Sequence, residues 1–135
     1  KLVSLLDSEL KVYDGDDHAF YSQYNKIEAI KHVVVAYQNE TPVGCGAIKE
    51  YEPGTMEVKR MYVNEDKRGF GIASIVLKEL ENWASEIGCT KCILETGIKQ
   101  TQAIALYKKN NYDIMTNYGQ YAGIENSVCF EKLLQ

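Results

Sequence analysis

The stretch that decides the fold joins a predicted strand to a predicted helix and reads Arg68-Gly69-Phe70-Gly71-Ile72-Ala73-Ser74. Glycine has no Cβ, so Gly69 and Gly71 allow left-handed backbone and close approach of a ligand. The helix beginning near Ile72 presents N–H groups and partial positive charge at its first turn. These features predict an anion site that suits a pyrophosphate. The loop alone leaves open a tight strand-to-helix turn whose glycines serve steric needs.

Two common phosphate-binding motifs do not match this loop. The Walker A pattern GxxxxGK[ST] is absent, and the dinucleotide fingerprint lacks its third glycine. A nucleotide-phosphate-binding protein stays open as a further interpretation, and it predicts affinity for ATP or NAD.

Hydrophobic periodicity and turn residues predict the elements on both sides of the loop. Helices are expected over residues 1–13, 19–26, 72–87 and 102–109. Strands are expected over residues 33–37, 43–51, 56–63, 92–94, 114–115 and 127–133, the first two forming a hairpin. The order of helices and strands predicts a mixed α/β fold.

Composition limits the class of protein. The 135 residues, 45% of them hydrophobic, suffice for one packed domain. A net charge of −4 argues against a nucleic-acid partner. No apolar run reaches about 18 residues, so no membrane span is expected. The lack of a secretory signal favours a cytoplasmic location.

The four cysteines are Cys45, Cys89, Cys92 and Cys129. The Cys89-x-x-Cys92 spacing admits a redox or zinc interpretation, but a zinc site needs two more ligands. Free cysteines are usually buried, which favours reduced structural thiols and no metal.

The segment from Glu57 through the glycine loop to Ser74 resembles the coenzyme-binding motif of the GCN5-related N-acetyltransferase (GNAT) family. The family pattern Arg/Gln-x-x-Gly-x-Gly/Ala is matched by Arg68, Gly71 and Ala73. Residues 94–97 and 103–112 resemble the family's second half, so the resemblance runs from about residue 33 to residue 133.

The resemblance implies a single GNAT domain over residues 1–135, an α/β fold with a mixed, mostly antiparallel sheet flanked by helices. It implies acetyl-CoA as the acetyl donor. The residues it implies for binding acetyl-CoA are Met61, Tyr62, Val63, Arg68, Gly69, Phe70, Gly71, Ile72, Ala73, Ser74, Gln100 and Tyr107.

The chain departs from the family pattern in three places. Gln100 stands where the family often has Asn, and Asn111 stands where Gly is usual; both replacements keep the needed chemistry or backbone. The family's first strand is expected to be short or lost.

Acetyl transfer to an amine needs a neutral amine, donors for the developing oxyanion and an acid for the leaving thiolate. Tyr107 lies at the family's acid position, although packing alone would also explain a tyrosine there. The Val63 N–H is the expected oxyanion donor.

Glu57 begins the strand that leads to the loop, where several family members place a base. Strand alternation puts it on one face with Lys59, Met61 and Val63 unless a bulge intervenes. A surface glutamate on an exposed sheet face is the equally weighted alternative. Weaker base candidates are Glu50, Glu95, His18 and His32, both histidines being expected at the solvated surface.

The resulting prediction is an N-acetyltransferase that acts by direct transfer in a ternary complex. The acceptor is a small-molecule or protein amine, and its pocket is expected between the early helices and the Tyr- and Gly-rich segment 116–126. The oligomeric state is open, with a homodimer among the options. The main alternative is a coenzyme A-binding sensor or regulatory module without activity.

Overall fold

A computed structural model describes residues 2–5, 10–14 and 32–135 of the chain. The strands are β1 Leu2–Leu5, β2 Leu10–Asp14, β3 His32–Gln38, β4 Thr41–Glu52, β5 Thr55–Val63, β6 Lys91–Gly97, β7 Asp113–Met115 and β8 Ser127–Leu133. The helices are α1 Ile72–Glu86 and α2 Thr101–Lys109, and short 3₁₀ turns lie at Glu65–Lys67 and Gly119–Tyr121.

The structure divides into two compact units. The first contains the described residues up to Lys49 together with Val58–Trp83. Its strands follow the order β1-β2-β3-β4-β5, and β1 to β4 pair antiparallel. Its helix α1 buries a stripe of apolar side chains, since apolar residues recur at helical spacing. Buried residues of this unit include Val33, Val35, Cys45, Ala47, Val76, Leu77 and Leu80.

The second unit contains Glu50–Glu57 and Ala84–Gln135. Here β5 pairs in parallel with β6, which pairs antiparallel with β8, and β7 pairs antiparallel with β8 on its other side. The buried Phe130 and Leu94 lie opposite each other in β8 and β6 and anchor the core of this unit.

Close approach of two backbones explains one glycine of β4. A Cβ at Gly44 would lie 2.9 Å from the backbone oxygen of Tyr62 in β5, closer than real Cβ atoms come to other atoms. Gly44 therefore lets β4 lie tightly against the part of β5 that leads into the glycine loop.

The predicted N-terminal helix is wrong. Residues 2–5 and 10–14 form the antiparallel pair β1 and β2, and β2 pairs with β3 from Leu10↔Gln38 to Asp14↔Val34. The first strand, expected to be short or lost, is present and short, since β1 has four residues. The weak helical preference of the leucine-rich segment is outweighed by the backbone hydrogen bonds that it forms with the edge of β3. The predicted helix over residues 19–26 lies outside the described residues.

The remaining elements are confirmed, with small shifts at their ends. Asn111 has a φ of 72° just after α2, the left-handed backbone expected where the family has Gly, and Gly88 has a φ of 96° just after α1. Ile87, the last residue of the predicted helix, lies beyond the end of α1 and is exposed.

The fold class is confirmed as a mixed, mostly antiparallel sheet with helices, because β5–β6 is the parallel pair among the strand pairings described. The single domain over residues 1–135 stays a prediction. Across the described ranges, α1 and α2 both fall short of the length and apolar character that crossing a membrane would require.

Candidate active site

The glycine loop has the backbone geometry that the sequence predicts. Gly69 and Gly71 have φ values of 86° and 83°, and a Cβ at either position would meet no other atom within 4 Å. The first helical hydrogen bond of α1 runs from the Ile75 N–H to the Gly71 oxygen at 3.1 Å. No acidic residue lies in the first turn of α1, so no carboxylate there offsets the positive end of the helix dipole. The loop and helix start therefore fit an anionic group.

Arg68 folds back over the end of β5. Its Nε donates a hydrogen bond of 2.8 Å to the Val63 oxygen, and its guanidinium lies 5.5 Å from the centre of the Tyr62 ring. The cation–π contact and the hydrogen bond hold the guanidinium beside the loop. The first unit thus brings Tyr62, Val63 and Arg68 together.

The end of β5 carries a backbone irregularity before Met61. Arg60 has a φ of 60°, which is uncommon for a residue with a Cβ, and its oxygen accepts a 3.7 Å hydrogen bond from the Cys45 thiol. This interruption breaks the regular alternation of side chains predicted from Glu57 to Val63.

Two side chains of the loop region differ in exposure: that of Phe70 faces solvent and that of Ile72 faces the core. The Phe70 side chain is 74% exposed, whereas Ile72 is buried. Ala73 and Ser74 are half-buried in the first turn of α1. Ile72 therefore ties the loop to the core, and Phe70 stays available at its surface.

Glu57 in the second unit is a buried carboxylate. The residue is only 9% exposed, and its Oε2 accepts a hydrogen bond of 2.7 Å from Tyr118 Oη. Thr55 to Val58 are all buried, so the interpretation of Glu57 as a surface residue on an exposed face is wrong. Glu57 is also the last residue of β5 paired with β6, opposite Ile93. A buried carboxylate requires such hydrogen bonding to offset its lost hydration.

Tyr107 lies on α2 inside the core of the second unit. Its ring centre is 5.8 Å from that of Tyr112 and 5.9 Å from that of Phe130, and the residue is 6% exposed. Burial raises the pKa of Tyr107 to about 12, so the phenol keeps its proton at neutral pH. The residue combines a packing ring with a protonated hydroxyl, so the acid role stays a prediction.

Gln100 stands immediately before α2. It is exposed, its N–H donates to the Gly97 oxygen at 2.9 Å, and its side chain makes no capping hydrogen bond to the helix. A role of its amide toward acetyl-CoA stays a prediction.

The other base candidates separate into different environments. Glu50 is exposed, while Glu95 accepts a 2.7 Å hydrogen bond from Ser127 Oγ. His32 is half-buried with its ring 4.7 Å from that of Trp83, so its expected solvated position is wrong. His18 lies outside the described residues.

All four cysteines are free thiols, as expected for structural residues. Cys45, Cys92 and Cys129 are buried and Cys89 is half-buried. In the described part of the chain no three His, Cys, Asp or Glu side chains gather into a metal-binding group.

Sequence reasoning missed the link between Tyr118 and Glu57. The two residues are 61 positions apart and belong to different elements, so neither periodicity nor local motif connects them. The signal that could have drawn attention to Tyr118 is the tyrosine-rich composition of segment 116–126.

Comparison with known proteins shows the family to which the chain belongs. The acetyltransferase (GNAT) family matches residues 2–112. A protein of Azospirillum brasilense named IAA acetyltransferase is 39% identical over 102 residues, which cover 75% of this chain and 67% of that protein. Across six curated relatives, the matched segments cover between 53% and 67% of the relatives' lengths.

Solved structures show the same fold. A Klebsiella pneumoniae protein, provisionally named an acyl-CoA N-acyltransferase, is 29% identical with a TM-score of 0.80, covering 93% of this chain and 98% of its own. A GNAT family acetyltransferase from Elizabethkingia anophelis with acetyl-CoA bound has a TM-score of 0.71 at 19% identity, covering 96% of this chain and 100% of its own. The chain belongs to the acetyltransferase (GNAT) family, whose enzymes are acetyl-CoA-dependent acetyltransferases.

The glycine loop gives the first testable prediction. Gly71→Val should weaken coenzyme A binding about tenfold or more, because the branched side chain enters the space that a phosphate would need. Loss of one hydrogen bond to a charged phosphate is enough for a roughly tenfold loss of affinity. It should cost roughly 1–2 kcal/mol of stability, because valine resists a φ of 83°. Calorimetric titration with coenzyme A measures the affinity.

Gly88→Val is the matched control. Gly88 also has a positive φ and open surroundings, but it follows the C-terminus of α1. It should lose similar stability and keep its affinity for coenzyme A. A folded Gly71→Val protein with unchanged affinity would remove the phosphate role from the loop.

Proposed function

We propose that the protein is an N-acetyltransferase that transfers the acetyl group of acetyl-CoA directly to a primary amine in a ternary complex. The observation that carries the proposal is the buried Glu57 carboxylate, which accepts a 2.7 Å hydrogen bond from Tyr118. In a chain of the acetyltransferase family, a buried carboxylate at the end of a strand pairing is suited to take a proton from an amine.

The first unit supplies the groups proposed to hold acetyl-CoA. Gly69 and Gly71 have the backbone freedom and open surroundings that a pyrophosphate needs beside the first turn of α1. The backbone of Met61 to Val63 is proposed for the acetyl and pantetheine portion, and the Val63 N–H for the oxyanion. When bound, acetyl-CoA supplies the reactive thioester and a thiolate leaving group.

Glu57 is proposed as the base. A primary amine has a pKa of about 10, so most of it is an ammonium without a lone pair at neutral pH. The Glu57 carboxylate takes that proton directly or through a water molecule, and the lone pair becomes available for attack. In the hydrogen bond with Tyr118 the phenol is the donor and Glu57 is the acceptor.

Tyr107 is proposed as the acid that protonates the leaving thiolate. Because burial raises its pKa to about 12, it holds its proton throughout the neutral range. The thiol of coenzyme A has a pKa of about 8 to 9, so complete transfer of that proton from Tyr107 to the thiolate is uphill. The proton therefore moves to the sulfur as the carbon–sulfur bond breaks, and Tyr107 regains a proton from solvent.

The state of the cysteines supports direct transfer over an acetylated enzyme. Only a thiolate is an effective nucleophile. Burial raises the pKa of Cys45 to about 12 and also raises the pKa of Cys129, while burial and the charge of Glu50 raise the pKa of Cys89. Cys92 is buried. These environments favour inert thiols.

The acceptor is proposed to be a small-molecule or protein amine, with the enzyme acting in the cytoplasm on its own or as a homodimer. The direct test follows thiol release from acetyl-CoA across a panel containing putrescine, tryptamine, benzylamine, glycine amide and a short peptide with a free N-terminus. Turnover of an amine supports the enzyme. Binding of coenzyme A in a thermal-shift assay with no turnover across the panel supports a sensor or regulatory module instead.

Glu57→Gln should lower kcat/KM by about 10²-fold, with the largest loss below neutral pH, where little of the amine is neutral. Glutamine still offers an oxygen to Tyr118, so the fold should persist. Glu52→Gln, an exposed change in β4, is the control. If the ratio of kcat/KM between Glu57→Gln and the parent is the same at every pH, Glu57 is not the base.

Tyr107→Phe should lower kcat by about 10²-fold, the lower end of general acid catalysis, because a thiolate departs even without full protonation. The ring remains, so calorimetry should show little change in coenzyme A affinity. Tyr112→Phe, which alters the neighbouring buried ring, should keep its rate within about twofold. If Tyr107→Phe keeps full activity when the chemical step limits the rate, Tyr107 has only a packing role.

A further inference from the structure

The hydrogen bond between Tyr118 and Glu57 is short. Its 2.7 Å Oη–Oε2 distance is within the range of hydroxyl donors bonded to charged carboxylates, which are stronger than neutral hydrogen bonds. Glu57 is 9% exposed, so water competes little for that oxygen. The contact therefore restricts the rotation of the carboxylate.

The backbone around Tyr118 is fixed by hydrogen bonds within its own segment. Asn117 Nδ2 donates to the oxygens of Ile124 and Ser127, both at 3.0 Å. The Tyr121 N–H donates to the Tyr118 oxygen at 2.9 Å. The segment between β7 and β8 is thus tied to itself and to the start of β8, which fixes the origin of the Tyr118 side chain.

Two further rings flank the Tyr118 ring. The Tyr51 ring lies 5.1 Å away at an interplanar angle of 72°, and the Tyr121 ring lies 5.6 Å away at 89°. Both are edge-to-face arrangements that aromatic pairs prefer. They leave the phenol oxygen of Tyr118 pointing to Glu57 and resist rotation of the ring.

Tyr118 stays a donor over the working pH range. Burial first, and then its hydrogen bond to Glu57 and the charge of that residue, raise the pKa of Tyr118 far above the ordinary value. The charges of Cys129 and Tyr121 also raise the pKa of Tyr118. Cys129 is also influenced by Glu95 and remains a thiol, because burial raises its pKa.

We infer that Tyr118 is a positioning residue for acetyl transfer, acting through Glu57 by holding one carboxylate oxygen in a fixed orientation. This inference rests on the proposed function, in which Glu57 is the base. A fixed base meets the amine proton in a narrower range of geometries, and such positioning contributes to rate. The segment between β7 and β8 would thereby influence the reaction without contacting the reacting atoms.

The hydrogen bond is tested without any acceptor amine. Chains labelled with ¹³C at the glutamate side-chain carboxyls are compared by NMR at one fixed pH, and the Glu57 signal is identified by its absence in Glu57→Gln. Tyr118→Phe keeps the ring and removes the donor, so the Glu57 signal should move from its position in the parent. Tyr51→Phe is the matched control: it removes a hydroxyl from a 41% exposed ring that contacts Tyr118, and it should leave the Glu57 signal unchanged.

Kinetics then tests the consequence for the reaction. With acetyl-CoA and an amine that the panel shows to be turned over, Tyr118→Phe should lower kcat about tenfold and leave the KM for acetyl-CoA unchanged. In the Glu57→Gln background, Tyr118→Phe should have no further effect on the rate.

The outcomes separate the two proposals. A Glu57 NMR signal and a kcat that are both unchanged by Tyr118→Phe, beside a slow Glu57→Gln, would overturn the positioning role and leave the base intact. Parent-like activity of Glu57→Gln would overturn the base itself, and positioning with it. A loss from Tyr118→Phe that persists in the Glu57→Gln background would also overturn the inference, because Tyr118 would then act on its own.

Discussion

The parallel pairing of β5 with β6 is the constraint on which the rest of the arrangement depends. Thr55, Met56 and Glu57 pair with Lys91, Cys92 and Ile93 in the same direction. Two parallel strands cannot be joined by a tight turn, so the chain needs a long connection between them. That connection contains the glycine loop and α1, which gives the sequence a strand-to-helix junction where an anion-binding helix end can form.

Burial of polar groups in the second unit follows a consistent pattern. Glu57 and Tyr118 satisfy each other, and Glu95 accepts a hydrogen bond from Ser127. Buried charges without such partners would be costly. Tyr107 differs because the described contacts of its ring are with other aromatic rings. The Glu57 carboxylate is thus held by a directional hydrogen bond, whereas Tyr107, the proposed acid, is held by packing of its ring.

The sequence predicted the central and C-terminal elements because their signals are local. The apolar stripe of α1, the turn residues before β5 and the left-handed positions at Gly88 and Asn111 can all be recognised from neighbouring residues. The first two strands were predicted as a helix because short leucine-rich segments fit both periods, and pairing with β3 decides between them. The glycine loop was found by its motif. The burial of Glu57 and its bond to Tyr118 depend on chain segments 61 residues apart, which no local pattern connects.

Direct transfer is the central claim of the proposed function, since it depends on the phosphate role proposed for the glycine loop, the base role proposed for Glu57 and the absence of a reactive thiol nucleophile proposed from the buried cysteines. Its most direct test is an initial-velocity experiment that varies acetyl-CoA at several fixed concentrations of an accepted amine. Double-reciprocal lines that intersect are predicted, because both substrates must be bound before the acetyl group moves. Parallel lines, with an acetylated cysteine detected by mass spectrometry in the absence of amine, would contradict it.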